Sequence, residues 1–108
     1  MSELNEDFNV MKHFMMEIDL PSNPPSEFFM LIPEQRNQVL ELMEDGVLLS
    51  YGLSEDRTKL WVVVLANNVS EAHKLAEKFP LFKYMTISIQ RLLFFNNSKH
   101  KLPELSLN

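Results

Sequence analysis

The sequence predicts an α+β domain in which one four-stranded antiparallel sheet carries two helices on one face. Two observations predict it: four stretches have the alternation or the composition of β-strands, and two stretches between them have helical spacing. A length of 108 residues, 45% of them hydrophobic, supplies one domain with a core of its own. The elements follow the order strand, helix, strand, strand, helix, strand, which is the ferredoxin-like βαββαβ arrangement.

Residues 12–20 are predicted to form the first strand, because apolar side chains occupy every second position from Phe14 to Leu20. The other face of this strand is mixed and carries both His13 and Glu17. Proline has no backbone N–H for a ladder hydrogen bond, so Pro21 is expected to end the strand.

A helix is predicted over residues 33–45, after a short helical turn at residues 26–31. Pro33 suits the first turn of a helix, where a backbone N–H has no helical partner. Gly46 is the expected C-terminal cap. The side chains expected on the buried side are Val39, Leu40 and Met43.

A hairpin is predicted next, with strands at residues 47–53 and 60–65 and a polar turn between them. Asn68 then has the position of a helix N-cap, with the Glu71 carboxylate three residues later. The helix that follows is expected to bury Val69, Ala72, Leu75 and Phe79. The last strand is predicted over residues 84–92, where apolar side chains again alternate with polar ones.

The composition excludes several classes of protein. Two glycines are too few for a phosphate-binding loop, and the absence of cysteine removes disulfides, thiolate metal sites and cysteine nucleophiles. A net charge of -5 disfavours a nucleic-acid partner. The three histidines, His13, His73 and His100, are spread over a strand, a helix and the tail, so no metal site is predicted.

The chain is expected to divide into a flexible leader at residues 1–10, a domain at residues 11–95 and a tail at residues 96–108. The leader is acidic and polar, unlike a secretory signal. The longest strongly apolar run, residues 60–66, is far shorter than the roughly 20 residues that cross a bilayer. We therefore expect a soluble cytoplasmic protein without a membrane partner.

A two-layer domain leaves one face of its sheet uncovered, and here that face would carry Met15 and one large residue, either Trp61 or Tyr51. The apolar residues 92–95 form a second surface that suits a partner, although they could also fold back on the core. We expect a homodimer or a larger homo-oligomer, because pairing two such faces would cover both.

The segment Phe-Pro-Leu-Phe-Lys-Tyr-Met at residues 79–85 resembles the LPLFPYM stretch of muconolactone delta-isomerases. Leu20-Pro21 after the first strand, His13 within it and Gly46 after the first helix are similar to the same family. The resemblance covers residues 12–92. It implies a ferredoxin-like domain that dimerises into an α+β barrel and isomerises an unsaturated lactone without a cofactor.

Such an isomerisation moves a proton between two carbons, so it needs one acid/base group in reach of both. The resemblance places the family's glutamate at Gln35, beside Glu34, and a family histidine at Ser50. It also places Arg57 at the hairpin tip, where the family has a histidine. The catalytic candidates are Glu34 or Glu17 as proton carrier and His13 as orienting group.

Arg57 is the candidate carboxylate anchor, and the further candidates for substrate binding are Ser50, Trp61, Tyr84 and Thr86. Structural roles are the alternatives: a hydrogen-bonded His13 near the sheet edge, a turn ion pair of Arg57 with Glu55 or Asp56, and strand hydroxyls as spacers.

Two functional hypotheses follow from these residues and this resemblance. The first is a cofactor-independent isomerase of a small lactone or unsaturated carboxylate, with no metal and no cofactor. The second is a non-catalytic module of the same ancestry that binds a small molecule or serves as an oligomeric interaction domain, which the amide of Gln35 and the hydroxyl of Ser50 favour. A third, a cofactor-free or haem-handling monooxygenase of the same barrel type, rests on fold analogy alone.

Overall fold

The computed structural model describes residues 11–98, so the predicted leader and the end of the tail, which includes His100, lie outside the described residues. The strands are β1 (Lys12–Asp19), β2 (Leu48–Leu53), β3 (Lys59–Ala66) and β4 (Thr86–Arg91). The helices are α1 (Ser26–Met30), α2 (Ile32–Glu44) and α3 (Val69–Glu77), and a 3₁₀ turn, Phe82–Tyr84, precedes β4. Within residues 11–98 no helix has the length and hydrophobicity that crossing a bilayer requires.

The strand order is β2-β3-β1-β4 and each neighbouring pair is antiparallel. Val39 and Leu42 of α2 and Ala72 and Ala76 of α3 belong to one buried core with Met16 and other inward side chains of the sheet. Both long helices therefore cover the same face of the sheet. The predicted ferredoxin-like α+β arrangement is confirmed.

The sheet has two chemically different faces, as the alternation in β1 predicts. Phe14, Met16 and Ile18 are buried against the helices, and we call this face the helix side. The register of the four strands places another set of side chains on the opposite face, which we call the open face. These are His13, Met15, Glu17, Asp19, Ser50, Gly52, Lys59, Trp61, Val63, Leu65, Thr86, Ser88 and Gln90.

The C-terminus of α2 ends as the sequence predicts, at a glycine. Gly46 has a φ of 75°, a left-handed conformation that side chains disfavour. Its N–H donates to the Met43 carbonyl at 3.0 Å, and the N–H of Val47 donates to the Leu42 carbonyl at 3.0 Å. This pair of bonds is the Schellman motif, which turns the chain directly into β2.

The buried stripe of α2 differs from the predicted one. Gln35, Val39 and Leu42 are buried, whereas Leu40 and Met43 are 53% and 38% exposed. Because successive helical residues point about 100° apart, a helix that turns positions 39 and 42 into the core leaves positions 40 and 43 at its margin. The prediction of a buried Leu40 and Met43 was wrong for this reason.

A bulge in β2 decides which side chains face the helices. Leu48 pairs with Val64 and Ser50 pairs with Val63, so Leu49 is an extra residue in this strand. The shift puts both Leu48 and Tyr51 on the helix side, three positions apart. Of the two residues considered for the uncovered face, Trp61 lies there and Tyr51 does not.

The cap of α3 is confirmed, but its first residue is not buried. The Asn68 side chain accepts from the Glu71 N–H at 2.9 Å, and the Glu71 carboxylate accepts from the Asn67 N–H at 3.2 Å. Val69 opens the helix and is 54% exposed, because the contact with the sheet is made further along, at Ala72 and Ala76. The expected burial of Val69 was therefore wrong.

The last strand begins two residues later than predicted, at Thr86. Tyr84 belongs instead to the 3₁₀ turn, in which its N–H donates to the Leu81 carbonyl at 2.9 Å. An i to i+3 bond of this kind requires turn geometry, which alternation alone does not reveal. Tyr84 consequently does not share a strand face with Thr86.

Candidate functional site

A cavity of about 630 Å³ lies on the helix side, between α1, α2 and the hairpin end of β2 and β3. Its wall is mostly apolar. The apolar lining consists of Leu20, Pro21, Pro24, Phe28, Phe29, Ile32, Val39, Leu40, Met43, Leu53, Leu60, Leu81 and Met85. The polar lining consists of Ser22, Gln35, Arg36, Tyr51, Asp56 and Arg57. A concave apolar wall with few polar groups is the usual form of a small-molecule site.

Four of the exposed apolar side chains border this cavity. Phe29, Leu40 and Leu53 are 52%, 53% and 52% exposed, and Met43 is 38% exposed. The two helices meet at Leu31, which ends α1 and begins α2, so Phe29 and Leu40 come from separate helices that share one joint. The cavity therefore opens to solvent through an apolar rim.

Gln35 is the buried polar residue of the cavity wall, with only 4% of its surface exposed. Its Oε1 accepts from the backbone N–H of Leu81 at 3.1 Å, and its Nε2 donates to the Tyr51 hydroxyl at 3.2 Å. A backbone N–H can only donate, so it fixes which end of the amide points to Leu81 and which end to Tyr51.

Tyr51 contributes a hydroxyl to the same wall. Burial raises the pKa of this phenol above its ordinary value of 10.0, and the hydrogen bond from Gln35 opposes that rise. The hydroxyl therefore keeps its proton at neutral pH. Within residues 11–98 no side chain or carbonyl accepts that proton.

Two arginines line the cavity, Arg36 on α2 and Arg57 in the hairpin turn. Both side chains are exposed, and neither guanidinium forms an ion pair or a hydrogen bond with any residue of the described part of the chain. Arg57 has a φ of 67°, which is uncommon for a residue other than glycine. The charged side chains of the cavity lining are thus two cations and one carboxylate, that of Asp56, and neither cation is paired with it.

Asp56 is the single carboxylate among the described cavity-lining residues. Its Oδ1 accepts from the hydroxyls of Ser54 and Thr58 and from the Thr58 N–H, at 2.7, 2.8 and 3.1 Å. These bonds, that of Ser54 first, lower the pKa of Asp56 below its ordinary 3.8. The carboxylate is therefore a weak base that holds the turn together.

Several of the site residues predicted from sequence lie on the open face, away from the cavity. They are His13, Glu17, Ser50, Trp61 and Thr86. Since the sheet itself separates this set from the cavity, the two sets cannot line one pocket within a single chain.

Partners on the open face account for two of these side chains. The Glu17 carboxylate lies 3.0 Å from Lys59 Nζ, and the His13 ring packs 5.7 Å from the ring of Phe95. Lys59 also lies 3.0 Å from the Asp19 carboxylate, and hydrogen bonds to Glu17 and Asp19 raise its pKa.

Two further predicted residues lie near the cavity without lining it. Glu34 is exposed in the first turn of α2, beside the inward Gln35. Tyr84 donates its hydroxyl to the Glu27 carboxylate at 2.9 Å and packs edge-on against Phe28. Of the residues singled out for substrate binding, Arg57 alone lines the cavity.

Sequence reasoning missed Arg36 and Tyr51 as site residues. Arg36 was detectable, because Ile32, Arg36 and Leu40 repeat every four positions along one side of the helix. Tyr51 was not, because its face depends on the bulge at Leu49, for which the sequence carries no clear signal.

The second histidine considered, His73, faces solvent on α3, where its Nδ1 lies 3.1 Å from the Glu77 carboxylate. In the described range, 11–98, no group of three or more histidine and acidic side chains could hold a metal ion.

The fold and this cavity define a class of small two-layer α+β proteins with a site between helices and sheet. The sequence model of the muconolactone delta-isomerase family matches residues 11–98, so the chain belongs to that family. The predicted resemblance is thereby confirmed.

A solved structure of muconolactone isomerase has the same fold. A crystal structure of muconolactone isomerase superposes with a TM-score of 0.63 at 21% identity, covering 82% of this chain and 95% of that one. A chlorite dismutase from Candidatus Nitrospira defluvii matches with a TM-score of 0.45 at 14% identity, over 95% of this chain and 49% of that one. No curated protein sequence gives a significant match.

Proposed function

We propose that the cavity binds a small organic carboxylate with an apolar body, of the lactone or unsaturated type that the family's name implies. The observation that carries this proposal is the pair of guanidinium groups, those of Arg36 and Arg57, that line a mostly apolar cavity and have no partner within residues 11–98. Guanidinium groups match the planar geometry of a carboxylate, and an unpaired one gains most from an anionic ligand.

The size and wall of the cavity fit the same class of ligand. A volume of about 630 Å³ lies within the range of roughly 300–1,000 Å³ of small-molecule sites. The apolar wall removes the body of the ligand from water, while the arginines stay at the solvent-exposed end. A carboxylate with an apolar tail satisfies both ends at once.

Binding without proton transfer is the form of this function that the site chemistry favours. At the family's glutamate position the chain has Gln35, and an amide does not act as a base near neutral pH. Asp56 carries the carboxylate within the described lining, and its lowered pKa makes it a poor acceptor of a carbon-bound proton.

A second candidate is proton transfer between two carbons, as in an isomerase, and membership of the family favours it. Glu34 and Glu17 stay predictions as proton carriers, and His13 stays a prediction as an orienting group. For Glu17 and His13 to take part, a ligand would have to bind on the open face, because that is where both side chains lie.

The test uses an unsaturated γ-lactone that bears an acetate side chain, observed by NMR in D₂O. Wild-type protein is expected to bind it and to leave its carbon-bound hydrogens at the uncatalysed exchange rate. The double variant Arg36→Gln/Arg57→Asn is expected to bind at least tenfold more weakly. Equal affinity of that variant and the wild type would contradict the proposal.

The same experiment tests the second candidate. Faster exchange with wild type, lost in Asp56→Asn or in Glu34→Gln, would favour an isomerase. Glu17→Gln is the matched change on the open face and is expected to leave binding in the cavity unchanged, since its carboxylate contacts Lys59 on the opposite side of the sheet. Loss of exchange in this variant would instead assign proton transfer to a ligand on the open face.

We also propose a homodimer in which the open faces of two copies pair. The support is the apolar part of that face, where Met15 pairs with Val63, between Trp61 and Leu65. Val63 is already buried within the chain, whereas Trp61 is 40% exposed and available to a partner. Light scattering is expected to give twice the chain mass for wild type and the single mass for Trp61→Lys. A monomeric wild type would overturn the proposed dimer.

A cytoplasmic location stays a prediction.

A further inference from the structure

The cavity wall contains a short chain of hydrogen bonds with one direction. It begins at the backbone N–H of Leu81, passes through the amide of Gln35 and ends at the hydroxyl of Tyr51. The Leu81 N–H can only donate, so it fixes the orientation of the Gln35 amide with Oε1 toward Leu81. The amide Nε2 then points to Tyr51 and donates to its oxygen. The Tyr51 oxygen accepts in this chain, so its own proton is directed elsewhere.

We propose that Tyr51 donates that proton into the cavity, to a neutral carbonyl group that the ligand carries in addition to its carboxylate. Gln35 is the positioning residue that makes Tyr51 a donor. The inference rests on the proposed function, since it concerns a ligand in the same cavity. It assigns the ligand two polar ends: a carboxylate at Arg36 and Arg57 and a ketone, ester or lactone oxygen at Tyr51.

The geometry supports a donor at this point of the wall. Gln35 and Tyr51 both line the cavity, and no acceptor for the Tyr51 proton exists within residues 11–98. Burial raises the pKa of Tyr51, so the phenol stays protonated at neutral pH. Tyr51 is half-buried and its hydroxyl proton is not used within the described residues, so a ligand oxygen in the cavity could accept it.

Residue 35 is decisive because glutamate has nearly the shape of glutamine but no hydrogen to donate when it is ionised. A carboxylate at position 35 would accept from the Leu81 N–H as the amide oxygen does. It would also accept from Tyr51, which reverses the bond and removes the tyrosine proton from the cavity. The Gln35→Glu variant therefore keeps both hydrogen bonds and loses the donor.

The test compares 6-phenylhexanoate with its 3-oxo, 4-oxo and 5-oxo derivatives, each labelled with ¹³C at the ketone. Affinity is measured by calorimetry and the stretching frequency of the bound ketone by infrared spectroscopy. Wild type is expected to bind at least one oxo compound about fivefold more tightly than the parent acid and to lower its ketone frequency. Tyr51→Phe is expected to lose both the preference and the frequency shift.

The Gln35→Glu variant tests whether Gln35 positions the Tyr51 proton or only supports the fold, because Tyr51 itself is retained. It is expected to keep the wild-type circular dichroism spectrum and to lose the oxo preference and the frequency shift. A carboxylate at position 35 also repels the ligand carboxylate, so the ratio of the oxo and parent affinities is the quantity compared. A preference that survives in Gln35→Glu or in Tyr51→Phe overturns the inference.

The failure of the two proposals can be told apart. If the parent acid binds wild type and no oxo compound binds more tightly, the carbonyl donor is wrong and the carboxylate site stands. If neither the parent nor any oxo compound binds, the proposed function fails and the inference fails with it.

Discussion

The cavity and the open face of the sheet both carry charged side chains, but they differ in whether the cations form ion pairs within the described part of the chain. On the open face, Lys59 lies 3.0 Å from both Glu17 and Asp19, so its positive charge is matched within the chain. At the cavity, the guanidinium groups of Arg36 and Arg57 have no partner in the described part of the chain. Charge that the fold itself neutralises needs no ligand, whereas unmatched charge at a cavity suits one.

Burial separates the two regions as well. The side chains of Lys59, Glu17 and Asp19 are 35%, 51% and 59% exposed, so water screens their attraction. Gln35 is 4% exposed and bonds to Leu81 and Tyr51, so loss of its amide would leave largely buried polar groups without these partners. Polar groups of the cavity wall should therefore matter more to stability than the more numerous charges of the open face.

The largest expected effect comes from removing the buried amide. Gln35→Leu leaves the Leu81 N–H without an acceptor and Tyr51 without its donor, so we expect the free energy of unfolding to fall by about 1–3 kcal/mol. Glu17→Gln, a change of polar group on the open face, is expected to leave that free energy within error. Urea denaturation of the two variants checks this, and equal losses would contradict the contrast.

Arg57 provides the next test, because its effects on binding and stability have opposite signs. Arg57→Asn removes the cation, so the affinity for 6-phenylhexanoate should fall about tenfold. Asparagine tolerates the left-handed backbone better, and the φ of 67° should then allow a gain in stability of up to about 1 kcal/mol.

Lys59→Gln is the matched control for Arg57→Asn, since it removes a cation that the open face already neutralises. Its affinity for 6-phenylhexanoate should equal that of wild type in calorimetry. A tenfold loss in this variant would show that overall charge, and not the position of Arg57, controls binding.

The sequence predicts the sheet better than it predicts the site, and β1 shows why. Phe14, Met16 and Ile18 alternate in the sequence and all three are buried, so the sequence correctly places His13 and Glu17 together on the other face of the strand. The alternation does not indicate which face of the sheet borders the cavity. The helices decide that, and the site residues chosen along the strands therefore lie mostly on the opposite face.

Two local features explain the rest of the difference. The bulge at Leu49 turns Tyr51 inward, and the 3₁₀ turn removes Tyr84 from β4. The bulge depends on how β2 pairs with β3, and the 3₁₀ turn depends on a local i to i+3 bond from Tyr84 to Leu81. Neither follows from helix or strand periodicity. By contrast, Gly46 was predictable, because a left-handed residue at the end of a helix has one strong residue preference.

The smallest expected effect concerns how stability depends on pH, and it contrasts a carboxylate that accepts hydrogen bonds with one that does not. The pKa of Asp56 is lowered in the folded chain, so its contribution to stability is complete above its ordinary value of 3.8 and is lost as the pH falls through the folded value. Asp56→Asn keeps an acceptor oxygen but not the charge. Its melting temperature should lie below that of wild type at neutral pH, and the two should converge as the pH falls through the lowered pKa of Asp56.

Glu55 offers the control for this acid test within the same turn. It is exposed and forms no hydrogen bond with any residue in the range 11–98, whereas Asp56 accepts from Ser54 and Thr58. Glu55→Gln should therefore follow the wild-type melting temperature at each pH. If Glu55→Gln and Asp56→Asn changed the acid dependence equally, net charge would be its cause, and the hydrogen bonds that hold the cavity turn would not.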